Sequence, residues 1–173
     1  MTDTIETKLT QAAKARSEHL PADALALYEQ ALAEAQAASH TLQLARALSG
    51  LGQIHRDLGD NGTALAHYIE SIALLRATDE PIRLAHSLRH AGDIASELGH
   101  HVQARTHITE ALDIYRNHQE VAPLELANTL RVLALNEERH LRIIWQEAGL
   151  LYATAGITAG LNESKAHIQH LSA

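Results

Sequence analysis

The chain has 173 residues, a formal charge of −7, three prolines and neither cysteine nor phenylalanine. The acid excess argues against general nucleic-acid binding, which needs a dense set of cations facing the phosphates, and the absence of cysteine excludes a disulfide framework and thiolate chemistry. No stretch approaches the roughly 18 apolar residues of a membrane span, and the opening Met1-Thr2-Asp3-Thr4-Ile5-Glu6 lacks the basic and then apolar start of a secretory signal. The expectation is a cytoplasmic protein with no membrane association.

Alanine, leucine, glutamate, glutamine and arginine dominate, which favours helices throughout and strands nowhere. The first two helices are expected at about Asp3–Glu18 and Ala22–Ser39. Between them, Pro21 suits the first turn of the second helix, where its missing N–H costs little. A second pair is expected at Thr41–Leu58 and Gly62–Ala77, divided by Gly59-Asp60-Asn61-Gly62, whose tolerance of positive φ suits a tight turn. The third pair reads Pro81–Leu98 and Val102–Asn117 around Gly99-His100-His101, with Thr78 and Asp79 offering capping side chains before Pro81.

A fourth unit starts after Val121-Ala122-Pro123 and is irregular. Only 11 residues separate Ala134 from Trp145, where Gly52 and Tyr68 are 16 apart, and Asn136 to His140 contains neither Gly nor Pro. Leu130, Ala134, Leu141, Ile144, Ala148 and Leu151 keep one helical phase across this stretch, which predicts a single helix from about Leu124 to Thr154. Its second half would present Leu141, Ile144, Trp145, Ala148 and Leu151 without an antiparallel partner, and a homodimer exchanging C-terminal helices would cover them. The alternative is a compressed turn with monomeric packing. Thr158 to Leu171 reads as a final helix whose Leu161, Ile168 and Leu171 cover the preceding unit.

A period of 40 ties these elements together. Leu51-Gly52, Ala64 and Tyr68 recur as Ala91-Gly92, Ala104 and Ile108, and the same template fits Gln11-Ala12, Ala24 and Tyr28. Such a period marks a solenoid whose units bury their apolar faces against neighbours. With a Leu-Gly pair in the first helix and Ala-x-x-x-aromatic in the second, the chain resembles the tetratricopeptide repeat (TPR) over about residues 5 to 155. The period, stretching to 42 before the last unit, exceeds the family's commonest 34 and looks like its longer-helix variants in adaptor and cargo-binding proteins. The family's Trp column is missing, with Lys8, Leu48, Leu88 and Leu130 in its place.

The resemblance implies an all-α solenoid of antiparallel helix pairs, a right-handed superhelix forming one domain over 1–173. Its units would be about 5–40, 45–80, 85–120 and an irregular 124–155, with a C-terminal capping helix at 158–171. Ala12, Gly52, Gly92, Ala134, Ala24, Ala64 and Ala104 would lie where helices approach closely. Tyr28, Tyr68, Ile108 and Trp145 would fill the gap to the next unit.

In this family the first helices line a concave groove that binds partners. Carried across, that groove holds Arg46, Gln53 and Arg56 from the second unit, His86, Arg89, His90 and Asp93 from the third, and Asn128 and Arg131 from the fourth. Planar guanidinium forks suit carboxylates, so an acidic peptide or a free C-terminal carboxylate is the expected ligand, with His86 and His90 adding charge below their ordinary pKa. The bland reading pairs these arginines with Asp57, Asp93 and Glu97 on a solvated face. His86, His90, Asp93 and Glu97 share one helix face but extend over about 16 Å, so no metal site is expected. No nucleophile elbow, phosphate loop or His-Glu-x-x-His helix occurs, so neither an enzyme nor a cofactor is expected. The expected function is a protein–protein interaction scaffold taking an acidic peptide or protein segment. A homodimerising structural module and a small-ligand sensor domain are the alternatives.

Overall fold

The breaks between helices fall where the turn chemistry of the sequence changes. The computed structural model describes residues 2–118, 121–136 and 141–171, and among these nine helices and no strand occur. They are α1 (Thr2–Ser17), α2 (Pro21–Ala37), α3 (Thr41–Asp57), α4 (Asn61–Leu75), α5 (Pro81–Glu97), α6 (His101–Arg116), α7 (Pro123–Asn136), α8 (Leu141–Thr154) and α9 (Thr158–His170). Five helix ends share one device. A residue with positive φ, namely His19, Ser39, Gly59, Gly99 or Gly156, reverses the chain. The next N–H then reaches back to a carbonyl of the last helical turn, as from Leu20 to Ala15 at 2.9 Å and from Asp60 to His55 at 2.8 Å. Helix α4 starts one residue before the expected Gly62, because the Asp60 carboxylate accepts the Thr63 N–H at 3.1 Å and so caps a helix beginning at Asn61.

The chain forms two compact units, 1–87 and 88–173, whose boundary lies within α5. In the first, α1 packs on α2, α2 on α3, α3 on α4, and α1 on α3. Ile5, Leu9, Ala12, Ala24, Tyr28, Ala31, Ala47, Leu51 and Ile54 make its core. Small residues meet large ones there. A Cβ on Gly52 would stand 2.8 Å from the Tyr68 ring and 3.3 Å from the Ala64 carbonyl, and one on Gly50 would stand 2.2 Å from the Tyr28 ring. Tyr28 and Tyr68 are buried, and each aromatic body contributes about 2–3 kcal/mol by leaving water, which is obtained only while the facing helix carries no side chain at the contact.

In the second unit α6 packs on α7, α7 on α8 and α8 on α9. Gly92 repeats the arrangement of Gly52, since its Cβ would stand 2.5 Å from Ile108 and 3.2 Å from the Ala104 carbonyl. The fourth repeat departs from the single long helix expected from its apolar phase. Helix α7 ends at Asn136, α8 begins at Leu141, and the Tyr152 hydroxyl donates to Asn128 Oδ1 at 2.9 Å. In one continuous helix those two residues would be about 36 Å apart. The chain therefore turns back on itself, and the compressed-turn alternative is the one that holds. Residues 137–140, which join the two helices, lie outside the described residues.

The same packing covers the described residues of the expected self-association surface within the chain itself. Trp145 and Ala148 are 1 % and 0 % exposed within a single chain, and Ile144 and Leu151 pack against the core they form with Leu130 and Ala134. The Leu141 side chain lies outside the described residues. A hairpin lets each half cover the other, which removes the unpartnered stripe that a straight helix would leave in water.

Candidate interaction face of the first helices

Each first helix turns one polar face away from its partner helix, and the period of 40 stacks like positions of neighbouring repeats. Glu6 and Arg46 occupy one such column, and the Arg46 Nη1 donates to both Glu6 oxygens at 2.5 and 2.6 Å while Gln43 Nε2 donates to Glu6 at 3.2 Å. Burial alone would raise the Glu6 carboxyl, but the Arg46 hydrogen bonds and charge prevail and hold it below its ordinary value. The Nε and Nη2 of Arg46 carry no partner among the described residues, so the side-on edge of the guanidinium remains open.

Gln53 and Arg56, two and three turns further along α3, are half-buried, as is His86 on α5. Arg56 and His86 are each engaged in further interactions. Asp57, expected as a partner for the groove arginines, is instead held by Arg16, whose Nε and Nη2 reach its two oxygens at 2.7 and 3.3 Å. Beneath this face a chain of hydroxyls ties three helices: Ser49 Oγ lies 2.8 Å from Ser71 and 3.0 Å from Ser87, and Ser71 donates to the Ala45 carbonyl at 2.9 Å. The repeat pattern does not point to this network, whose only trace in the sequence is Ser71, a serine at an otherwise apolar position of α4.

The second unit treats its arginines differently. Arg89 is only 8 % exposed. Its Nε lies 3.3 Å from the Glu125 carboxylate without hydrogen-bond alignment, its Nη2 is 2.9 Å from His90 Nε2, and the Tyr115 hydroxyl donates to Glu125 at 3.3 Å. Burial and the Glu125 charge push the Tyr115 phenol well above its ordinary value. Arg89 is thus a member of an interior ion pair. A charge taken this far from water must be paired, and its pairing leaves it unsuited to meet a ligand. His90 and Asp93 are half-buried and engaged beside it. Asn128 turns inward to accept the Tyr152 hydroxyl.

Arg131 is the more accessible arginine of this face, with a half-exposed side chain whose Nε donates to both Glu163 oxygens, at 3.0 and 2.8 Å. The structure therefore brings Glu6, Gln43 and Arg46 together in one unit and Arg131 and Glu163 together in the other. It buries Arg89 and joins Asn128 to Tyr152. Among the described residues no three histidine or carboxylate side chains converge as a metal site.

Residues 43–117 match the tetratricopeptide repeat family. No curated protein matches the chain by sequence. Among solved structures, the chain is similar to BtubC (BKLC) from P. vanneervenii, with a TM-score of 0.68 and 18 % identity. That likeness covers 97 % of this chain and 64 % of BtubC, so the chain spans less than two thirds of that protein. It is also similar to a Podosopora anserina putative kinesin light chain with nearly identical TPR-like repeats, with a TM-score of 0.61 and 12 % identity over 97 % of this chain and 94 % of the other. A point variant of that same protein gives a TM-score of 0.61 and 13 % identity, over 97 % and 96 %. Identities this low speak for the fold, an all-α TPR solenoid.

Proposed function

We propose that this chain, whose residues 43–117 match the tetratricopeptide repeat family, is a protein-interaction scaffold whose first-helix face in residues 1–87 takes a carboxylate-bearing peptide at Arg46. Tetratricopeptide repeats generally mediate protein–protein association, and catalysis is not generally their role. Among the described residues no helix is long and apolar enough to cross a membrane.

The observation that carries the ligand class is the way Arg46 is held. Glu6 and its own side-chain packing orient the guanidinium, yet one nitrogen does all the donating, and the Nε–Nη2 edge that matches a carboxylate bidentately stays open. The group is positioned in advance, so a ligand loses little entropy in ordering it. Gln53 and Arg56 continue the same face of α3 and can extend the contact along a peptide. Because the whole chain carries −7, attraction is local to this face and acts within a Debye length of about 8 Å.

Fluorescence anisotropy with a labelled Glu- and Asp-rich peptide, against a Lys-rich peptide of equal length, tests this. The acidic peptide is expected to bind and to weaken with salt, and Arg46→Gln should lower its affinity about tenfold, the loss of a charge-assisted pair of hydrogen bonds. Equal binding of both peptides, or an Arg46→Gln protein that binds as the wild type does, would refute the reading. The double variant Glu6→Gln with Arg46→Gln removes both ends of the pair and controls for a carboxylate left alone.

A further inference from the structure

The stripe of α3 that carries Arg46 runs on through Gly50 and Gln53 to Asp57, at spacings of four, three and four residues, and so along one side of the helix. Its two ends are taken by side chains of α1, where Arg46 meets Glu6 and Asp57 meets Arg16. Gly50 offers no side chain between them, and the ring of Tyr28 from α2 lies in its place. The atoms nearest the position of a Gly50 Cβ are Tyr28 Cε1 and Cζ. It is therefore the hydroxyl end of the ring that reaches this stripe, about one helical turn from Arg46 and one from Gln53.

Tyr28 is only 5 % exposed, and its hydroxyl makes no hydrogen bond among the described residues. The second unit treats such groups differently, since the buried Tyr115 and Tyr152 hydroxyls donate to Glu125 and Asn128. A phenol O–H gives up hydrogen bonds to water when its ring is buried and ordinarily finds an acceptor in exchange. Burial raises the Tyr28 phenol above its ordinary value, against the opposing charges of Arg16 and Arg46, so at neutral pH the group is an uncharged O–H that can donate. Those two cations act on the hydroxyl from the two ends of the stripe, and they favour an oxygen acceptor beside it.

We propose that the Tyr28 hydroxyl is a further ligand contact of this face, donating to a main-chain carbonyl of the peptide whose carboxylate is held by Arg46. This rests on the reading of Arg46 as the carboxylate anchor. Four residues of helical rise separate Gly50 from Arg46 by about 6 Å, which an extended peptide covers in about two residues. A peptide lying along α3 with its carboxylate at Arg46 thus carries its main-chain carbonyls past Tyr28 and then past the Gln53 carboxamide, which can both donate and accept. A free carboxylate has no such backbone and gains the Arg46 contact alone.

Fluorescence anisotropy with the labelled acidic peptide compares the full-length wild type with Tyr28→Phe, which removes the hydroxyl and keeps the ring. Binding should weaken about two- to tenfold, the worth of one hydrogen bond between uncharged groups. The factor should be the same for a peptide with a single aspartate among alanines, because the contact is to the main chain. The melting temperature should stay within about 2 °C of the wild type, since the folded chain gives this hydroxyl no acceptor to lose. A second measurement leaves the protein unaltered. With carbon-13 at the Cζ of its four tyrosines, the Tyr28 resonance, identified by its loss in Tyr28→Phe, should move when peptide is added, while that of Tyr152 should not. Binding that depends on Arg46 but is unchanged in Tyr28→Phe, a Tyr28 resonance that the peptide leaves in place, or a Tyr28→Phe protein that melts well below the wild type overturns the contact and leaves the proposed function standing. A loss confined to the Glu- and Asp-rich peptide overturns it as well, because the hydroxyl would then be meeting a side chain. No binding of the acidic peptide by the wild type overturns both.

Discussion

Replacing Gly50 by alanine adds one methyl group where the Tyr28 ring already lies 2.2, 2.4 and 2.5 Å from the position of the new Cβ. Ordinary contact begins near 3.4 Å, so the ring or the facing helix has to retreat by about 1 Å, and Tyr28, 5 % exposed among Ala31, Ala47 and Leu51, has little room to do so. Overpacking of this severity costs about 3 kcal/mol, the upper part of the usual range. Alanine returns about 1 kcal/mol of helix propensity, which leaves a net loss of about 2 kcal/mol. For a chain of this length that lowers the melting temperature by about 4–8 °C.

Gly62→Ala provides the opposite case. Its new methyl group would meet nothing closer than Asp60 Oδ1 at 3.9 Å, so the propensity gain of up to about 1 kcal/mol stands unopposed. Thermal and urea unfolding followed by far-UV circular dichroism measures both. In the Tyr28→Ala background the penalty of Gly50→Ala should vanish or change sign, a coupling of about 3 kcal/mol. A Gly50→Ala protein as stable as the wild type, or a penalty that persists without the Tyr28 ring, would refute the reasoning.

Ser39 and His19 hold φ of 56° and 58° at turns where Gly59, Gly99 and Gly156 stand elsewhere, so Ser39→Gly and His19→Gly should each raise the melting temperature by about 1–4 °C, from roughly 0.5–1 kcal/mol of relieved backbone strain. Trp145→Ala should cost about 3–5 kcal/mol in urea unfolding, because the side chain lies wholly inside the α7–α8–α9 core. Its emission, the only tryptophan signal of the chain, should be blue-shifted and poorly quenched by acrylamide. His67 on α4 is held below its ordinary 6.5, first by burial and then by the charge of His55, whose ring is 5.3 Å away, with Glu70 and Asp60 opposing. The folded state therefore binds less proton than the unfolded chain. The stability His67 contributes is present above pH 6.5 and is lost as the pH falls from there through the lowered value. His67→Gln should reduce the loss of stability between about pH 7.5 and 5.5 relative to wild type, and an unchanged pH dependence would refute the assignment.

Much of the fold is legible in the residues because its determinants are local or recur at a fixed spacing. A glycine at a helix end, Pro21 at the start of α2 and Asp60 before Thr63 act within one turn of chain, so the helix limits follow to within a residue or two. The pairing of Gly52 with Tyr68 and of Gly92 with Ile108 repeats every 40 residues, and a repeat must meet its neighbours as they meet one another. Glu6 and Arg46, which meet in the structure, stand one such period apart.

The fourth repeat was not. Its apolar phase is continuous because α7 and α8 bury the same stripe on each other, and a helix that folds back satisfies that phase as well as one that runs straight. The contacts between α7 and α8, that of Tyr152 with Asn128 among them, distinguish the two. The arginines lay beyond the sequence for a related reason. Arg16 with Asp57, Arg89 with Glu125 and Arg131 with Glu163 are joined across 32 to 41 residues of chain, and several carboxylates stood within plausible reach of each. Arg89 shares its repeat position with Ser49, yet one is an interior cation and the other a link in a hydroxyl chain. Spacing along the chain determined which helices form and which columns they share. Which charges are buried, which guanidinium edge stays open and which carboxylate each arginine meets were decided by packing, because ion pairs form between side chains that the tertiary fold, not the period, brings within about 3 Å of each other.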